Sequence, residues 1–137
     1  MNPNEKVNCK LTDFGASRNI NQIMTNMTFT KGIGTPVYMA PEILNREHYK
    51  KQSDVYSFAI TMLEIMTWKT AFPKEMFRFA WDIANCIADG KRPTTIENVK
   101  NNEMKRLIKS CWNQHPKDRL MINDVVALLE TLLLKMK

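Results

Sequence analysis

Two short triplets contain the residue types best suited to chemistry. The first is Asp13-Phe14-Gly15, and the second is Ala40-Pro41-Glu42. An aspartate carboxylate offers the oxygen ligands that hard cations such as Mg²⁺ prefer, although Asp13 taken alone is also a common turn residue. Either triplet alone is a weak signal. Their order, their separation and the residues 34–39 that lead into the second triplet make the combination a strong one.

Local patterns predict the elements that carry the two triplets. Val7, Cys9 and Leu11 alternate with polar residues, which predicts a short half-buried strand over 7–11 that ends at Asp13. Residues 16–39 are rich in Thr, Asn and Gly and show no sustained period, so we expect a long loop. The glycines at 32 and 34 have no strand before them and no helix after them, and they do not fit a phosphate-binding loop.

The rest of the chain is predicted to be helical. Ser53 is the expected cap of a helix over 55–66, whose apolar pattern on nearly all sides predicts burial on every side. A second helix is expected over 76–88, with Gly90 ending it. Asn102 is the expected cap of a third. The apolar spacing at 104–112 and 125–133 predicts the third and last helices.

Length and composition indicate one ordinary globular domain. The 137 residues are 44% hydrophobic and 25% charged, which is typical of a chain that buries a core. Three cysteines without metal-ligand spacing favour reduced thiols in a cytoplasmic protein. No N-terminal apolar segment or long apolar run is seen, so we expect no membrane partner. The net charge of +6 comes from scattered basic residues, so we expect no nucleic-acid partner either.

The motifs resemble those of protein kinases. Asp13-Phe14-Gly15 is similar to the metal-binding turn of that family, and Ala40-Pro41-Glu42 to the end of its activation segment. The resemblance implies that 1–137 is the C-terminal lobe of a kinase domain, with the strand and activation segment over 7–42 and a helical subdomain over 43–137. The implied fold is mainly α, with one or two short strands at the N-terminus, the activation segment and about four main helices.

The resemblance also implies ATP and Mg²⁺ as cofactors of the complete domain. Asp13 is the residue implied to hold Mg²⁺ on the ATP phosphates, within a cofactor-binding motif completed by Phe14 and Gly15. No Gly-rich loop, strand lysine or His-Arg-Asp loop precedes Asp13 in this sequence. We therefore expect this chain alone to bind ATP weakly, to lack a catalytic aspartate and to be inactive.

A further set of residues resembles the substrate-binding side of a kinase. Gly34, Thr35 and Pro36 are similar to the loop beside the substrate residue, and Thr35 favours serine/threonine specificity. Three threonines fall where many relatives are phosphorylated: Thr25, Thr28 and Thr30. Phosphate there adds negative charge that can order a loop, and an unmodified polar loop is the alternative.

Two structural roles follow from the resemblance as well. Glu42 is implied to form a buried ion pair with Arg119, and Asp54 is implied to anchor the catalytic loop. Cys111-Trp112 and the Gly-x-Arg-Pro segment at 90–93 are similar to tyrosine kinases and to the tyrosine-kinase-like group. Together with Thr35 they favour the latter.

Two functional classes stay open at this point. One is part of a serine/threonine kinase of the tyrosine-kinase-like group. The other is a non-catalytic truncated-kinase module that binds or regulates other proteins. The expected partners are protein substrates or regulators, bound through the activation segment and helix 76–88, where Phe77 and Trp81 form a second apolar face. Exposed apolar surface on an incomplete domain also predicts self-association.

Overall fold

The fold is mainly α-helical. The computed structural model describes residues 9–14, 17, 35–73, 75, 77 and 79–135. Within them lie five α-helices: α1 (Pro41–Leu44), α2 (Lys51–Thr67), α3 (Ala80–Ala88), α4 (Asn102–Cys111) and α5 (Ile122–Lys135). Single 3-10 turns occupy Pro36–Tyr38, Thr94–Asn98 and Pro116–Asp118. The prediction of a mainly helical fold is therefore confirmed for the described residues.

The predicted N-terminal strand is not seen in its described part. Residues 9–11 have no regular secondary structure, and 7 and 8 lie outside the described residues. The Leu11 side chain, which the alternation predicts to be half-buried, is 88% exposed. A strand needs a neighbour that pairs with its backbone N–H and C=O groups, and the described part of the chain contains no strand to do so. An alternating pattern predicts which face would be buried, but it does not supply the partner.

Helix α2 is the centre of the hydrophobic core. It packs against α4 and against all three 3-10 turns. Tyr56, Ala59, Ile60 and Leu63 of α2 are each 0% exposed. Side chains from three other helices complete the same core: Ile87, Ile108 and Val125. Helix α5 joins this arrangement through α4, while α3 packs against α1 and the Pro36–Tyr38 turn.

The prediction that α2 is buried on every side, which rests on its apolar composition, is wrong. Phe58 is 37% exposed, Ile65 is 62% exposed and Met66 is 39% exposed. Apolar composition shows that a helix can be buried, but the number of neighbours that reach it depends on the tertiary fold. Among the described residues, one side of α2 stays uncovered.

Two predicted helix caps are also misplaced. Helix α2 begins at Lys51, and its cap residue is Lys50, three residues before the predicted cap. Ser53 therefore lies inside the first turn, where its hydroxyl accepts the Lys50 N–H at 3.3 Å. Asn101, and not Asn102, caps α4, since its Oδ1 accepts the N–H groups of Glu103 at 2.9 Å and Met104 at 3.0 Å. The extended backbone of Asn101 places the side chain ahead of the first turn, which a residue inside the helix cannot achieve.

Helix α3 is shorter than predicted at its start and ends as predicted. It begins at Ala80. At this end the Asp82 carboxylate accepts the N–H of Phe79, the residue before the helix, at 3.1 Å. Gly90 adopts a φ of 83°, and its N–H donates to the Ile87 carbonyl at 3.0 Å. The following N–H, of Lys91, donates to the Cys86 carbonyl at 2.9 Å, which completes a glycine-dependent helix end.

No helix in the described ranges is both long enough and apolar enough to cross a membrane.

Candidate functional site

The segment over 35–44 lies against α2 and α3 as two short helical turns. The 3-10 turn Pro36–Tyr38 and helix α1 each begin with a proline at a first helical position. Proline suits that position because its φ is fixed near the helical value and the N–H it lacks would have no partner there. Thr35 is exposed immediately before the first turn. The 35–44 segment is therefore locally shaped by its prolines and held in place by contacts to the helices.

Tyr38 fastens the first turn to α2. Its hydroxyl donates to Glu64 Oε2 at 2.7 Å, and the Ser57 hydroxyl donates to the Tyr38 carbonyl at 2.7 Å. Glu64 also accepts the Ala71 N–H at 2.8 Å, which fixes the carboxylate. The hydrogen bond to Glu64, partial burial and the Glu64 charge raise the pKa of Tyr38, so the phenol stays protonated. Sequence reasoning missed this contact because Tyr38 and Glu64 are 26 residues apart and share no local motif.

Helix α1 is held by a buried bidentate ion pair. Arg119 Nη1 donates to Glu42 Oε1 at 2.7 Å, and Arg119 Nη2 donates to Glu42 Oε2 at 2.7 Å. Glu42 is 2% exposed and Arg119 is 5% exposed. The Ser53 hydroxyl adds a third hydrogen bond, to Glu42 Oε1 at 2.7 Å. The structure thus brings together two of the residues singled out from the sequence and adds Ser53, which had been assigned only a capping role.

The remaining N–H groups of Arg119 bind backbone carbonyls. They donate to the carbonyls of Asn113 at 2.8 Å, Gln52 at 2.9 Å and Gln114 at 3.2 Å. With the two bonds to Glu42, five hydrogen bonds match the five donors of a guanidinium group. Arg119 therefore joins three separate stretches of chain: α1, the start of α2 and the turn that follows α4.

The electrostatics of the pair favour its charged form. Burial alone would raise the pKa of the Glu42 carboxyl, but the hydrogen bonds from Arg119 and Ser53 outweigh it, and the pKa is lowered. Charge-assisted hydrogen bonds of this length are the stronger kind in proteins. The carboxylate is therefore ionised wherever the fold is intact at neutral pH.

Asp54 lies at the surface near the start of α2. The nearby Tyr49 is half-buried, and this burial, a hydrogen bond to Asp54 and the Asp54 charge raise the pKa of Tyr49 well above its usual range. Asp54, which the sequence assigns to anchoring a catalytic loop, thus engages the Tyr49 phenol in the described part of the chain.

The first triplet lies on exposed backbone. Asp13 adopts a left-handed φ of 61°, and Phe14 is 66% exposed. The Ser17 N–H donates to the Phe14 carbonyl at 2.9 Å, so the chain turns here. Aspartate tolerates a left-handed conformation better than most residues. Gly15, Gly34 and the three candidate phosphorylation sites lie outside the described residues: Thr25, Thr28 and Thr30.

Asp13 has the chemistry of one magnesium ligand and not of a whole site. Within the described ranges, no cluster of three or more His, Cys, Asp or Glu side chains could hold a metal ion. Magnesium is commonly bound by one or two carboxylates together with substrate phosphates and water. An exposed aspartate fits that shared mode of binding.

Comparison with known proteins shows the family of the chain. Residues 3–129 match the family described as protein tyrosine and serine/threonine kinase. The chain belongs to this family. Membership implies ATP and Mg²⁺ as ligands of complete kinase domains.

The similar proteins are themselves named as kinases. The chain is 35% identical over 129 residues to RGS domain-containing serine/threonine-protein kinase A of Dictyostelium discoideum. This match covers 94% of the chain and 11% of that protein. It is 36% identical over 115 residues to the probable serine/threonine-protein kinase gdt9 of the same organism, covering 84% of the chain and 7% of that protein. It is 31% identical over 128 residues to the dual specificity protein kinase shkC, also from Dictyostelium discoideum, covering 92% and 24%. The chain thus spans only a small part of each relative's length.

The buried ion pair predicts a large loss of stability on removal of one partner. We expect Arg119→Ala to lower the free energy of unfolding by about 3–5 kcal/mol, because Glu42 is left buried and unpaired. Urea denaturation measures this. Lys105→Ala is the matched control, since it breaks an exposed pair with Glu97 at 3.1 Å and is expected to cost at most about 1 kcal/mol. An Arg119→Ala protein as stable as the parent would contradict the assignment.

The same pair predicts a dependence of stability on pH. The folded-state pKa of Glu42 lies below its ordinary value of 4.5, so its contribution is complete above that pH and is lost as the pH falls through the folded value. We expect the stability difference between the parent and Glu42→Gln to be greatest at neutral pH and to shrink in acid. Urea titrations from neutral pH to about pH 3.5 test this. A difference that stays constant over this range would be inconsistent with it.

Proposed function

We propose that this chain is part of a serine/threonine kinase domain of the tyrosine-kinase-like group, which transfers the γ-phosphoryl group of MgATP to protein hydroxyls. The observation that carries the proposal is the anchoring of the 35–44 segment. Glu42 and Arg119 hold its end, Tyr38 holds its middle, and Thr35 stays exposed at its start. The relatives named as serine/threonine kinases support the same class.

The anchoring suits the binding of a protein substrate. Catalysis of phosphoryl transfer consists largely of positioning and charge stabilisation, so the surface beside the accepting hydroxyl must be held in place. Thr35 and Pro36 supply such a surface next to a turn that two α2 side chains fix. Because shkC carries a dual specificity name, tyrosine hydroxyls belong among the substrates to be tested.

ATP and Mg²⁺, when bound to the complete domain, supply the phosphoryl group and neutralise its charge. In this chain Asp13 is the residue that would hold the metal, with Phe14 and Gly15 completing the motif. The 137 residues contain no Gly-rich loop, strand lysine or catalytic-loop aspartate. Catalytic groups act as a unit, so we propose that the chain alone is inactive.

An exposed aromatic pair favours α3 as a partner-binding surface. Phe79 and Trp81 stack with ring centroids 4.4 Å apart, and they are 43% and 61% exposed. Phe77, assigned from the sequence to the same face as Trp81, instead packs edge-on against Phe72 at 5.5 Å. Helix α3 also packs against the Pro36–Tyr38 turn. We therefore propose that protein substrates or regulators place apolar side chains on Phe79 and Trp81, in the kinase and in the alternative, non-catalytic module alike.

Self-association is the second interaction that we propose. Exposed large apolar side chains occur on two helices: Phe58, Ile65 and Met66 of α2, and Ile122, Val126, Leu128, Leu133 and Leu134 of α5. Clustered apolar exposure of this kind marks interaction sites or promotes association.

A phosphotransfer assay separates the two functional classes. With labelled ATP, Mg²⁺ and a generic protein substrate, we expect no transfer by the 137-residue chain. A longer protein that contains this chain with the missing motifs should transfer phosphate, and Asp13→Asn should abolish that activity. In the active protein Trp81→Ala should raise KM for a protein substrate and leave kcat unchanged. The reason is that it removes a contact that stabilises the bound substrate and the transition state equally.

Lys109→Gln, an exposed change on α4, is the control and should alter neither constant. Transfer by the 137-residue chain that depends on Asp13 would refute its inactivity. A longer protein that contains all the motifs and still transfers nothing would favour the binding module.

For self-association, we expect the sedimentation coefficient of the chain to rise with protein concentration. The double variant Ile65→Lys with Leu133→Lys should reduce this rise, since each change places a charge on an exposed apolar face. Lys109→Gln serves as the control here too. A single coefficient across the concentration range for the parent would count against the proposal.

A further inference from the structure

Two arginines lie over the Tyr56 ring. The guanidinium carbons of Arg92 and Arg119 are each 5.2 Å from the centroid of the Tyr56 ring. The Tyr56 side chain is 0% exposed, so the contacts form away from water. Cations near an aromatic face are attracted by its quadrupole, and more strongly when desolvated. We call these three residues the arginine–tyrosine stack.

The ring of Tyr56, and not its hydroxyl, makes these contacts. The hydroxyl oxygen is buried and has no hydrogen-bond partner in the described part of the chain. Burial raises the pKa of Tyr56 to about 12, so the phenol is neutral. A buried donor without a partner costs stability. Phenylalanine at this position should therefore preserve whatever the ring does.

Arg92 closes the C-terminal end of α3. Its Nη1 donates to the carbonyls of Ile87 at 3.4 Å and Lys91 at 2.8 Å, and its Nη2 donates to Gln114 Oε1 at 2.7 Å. The Gln114 amide in turn donates to the Ala88 carbonyl at 2.9 Å. The last carbonyls of a helix have no partner within it, and these two side chains supply some of what is missing.

The two arginines also hold consecutive residues of one turn. Arg92 Nε donates to the Trp112 carbonyl at 2.9 Å, while Arg119 binds the carbonyls of Asn113 and Gln114. Glu42 is the carboxylate that pairs with Arg119. The two positively charged side chains thus bind the same turn, and the attraction of each to the Tyr56 ring offsets part of their repulsion. The end of α3 is linked in this way to the ion pair that holds α1.

We propose that Tyr56 is a positioning residue, whose ring couples the end of α3, through Arg92 and Arg119, to Glu42 and the 35–44 segment. The link to substrate binding rests on the proposed kinase function, while the coupling is a property of the folded chain. A partner that engages α3 would then favour the anchored arrangement of the 35–44 segment.

The competing explanation is that Tyr56 only fills the core. Tyr56→Leu keeps an apolar side chain but removes the aromatic faces, whereas Tyr56→Phe keeps both faces. The coupling predicts that the phenylalanine variant behaves like the parent and the leucine variant does not. Simple core filling predicts that a change at Arg92 has the same effect in all three proteins.

Amide hydrogen exchange in the 137-residue chain tests the coupling. The N–H groups of Leu44 and Asn45, bonded to the Ala40 and Pro41 carbonyls at 3.1 Å and 2.9 Å, report on α1. In the parent and in Tyr56→Phe, we expect Arg92→Lys to speed their exchange about tenfold relative to the Val125 N–H in α5. In Tyr56→Leu, the same change should have no such effect. Arg106→Lys, on the exposed side of α4, is the control and should change nothing.

Equal effects of Arg92→Lys in the tyrosine and leucine backgrounds, or none in the parent, would overturn the proposal. If Tyr56→Leu does not fold, Arg92→Lys and Arg119→Lys are combined in the parent, and strictly additive effects on Leu44 exchange would overturn it. The phosphotransfer assay is read separately. Coupling in the 137-residue chain with no phosphotransfer by the longer protein would defeat only the kinase function. Phosphotransfer by the longer protein with no coupling in the chain would defeat only this inference.

Discussion

The buried ion pair between Glu42 and Arg119 is the constraint on which the arrangement of the chain depends. Two opposite charges have been removed from water, and that cost is offset only if the geometry is good and every donor finds an acceptor. Here the guanidinium group uses all its N–H groups, and the carboxylate also accepts the Ser53 hydroxyl. Three stretches of chain that are separated in sequence must therefore come together around the Arg119 side chain.

That requirement explains how a short segment is held without a core of its own. Helix α1 has 4 residues, far fewer than an isolated helix needs to be stable in water. The prolines of the 35–44 segment favour its local shape, but its position comes from Arg119 at one end and from the Tyr38–Glu64 contact near the other. The result is a fixed backbone with Thr35 exposed, which is the arrangement that the proposed binding of a protein substrate requires. Helix α2 provides most of the partners because it lies in the middle of the core.

The site was partly predictable from sequence. The triplets at 13–15 and 40–42 led to the kinase family, and the same resemblance paired Glu42 with Arg119. The Tyr38–Glu64 contact and the stack of Arg92, Tyr56 and Arg119 were not foreseen. Each joins residues that no local pattern relates, and Arg92 was noted only as part of a sequence motif. The helix ends show the same division, since Gly90 was recognised by its own conformational freedom while the cap of α4 was placed one residue late.

The sequence alone determined the family, through its motifs. It also determined the approximate positions of the four longer helices, because the 3.6-residue apolar period and the residues that end helices are local properties. Tertiary structure decided the rest. It left Phe58 and Ile65 exposed on a helix of apolar composition, and left residues 9–11 without a strand. It also brought Tyr38 to Glu64 across 26 residues of chain. Burial, strand pairing and side-chain hydrogen bonding each need a partner from elsewhere in the chain, and a local pattern does not specify that partner.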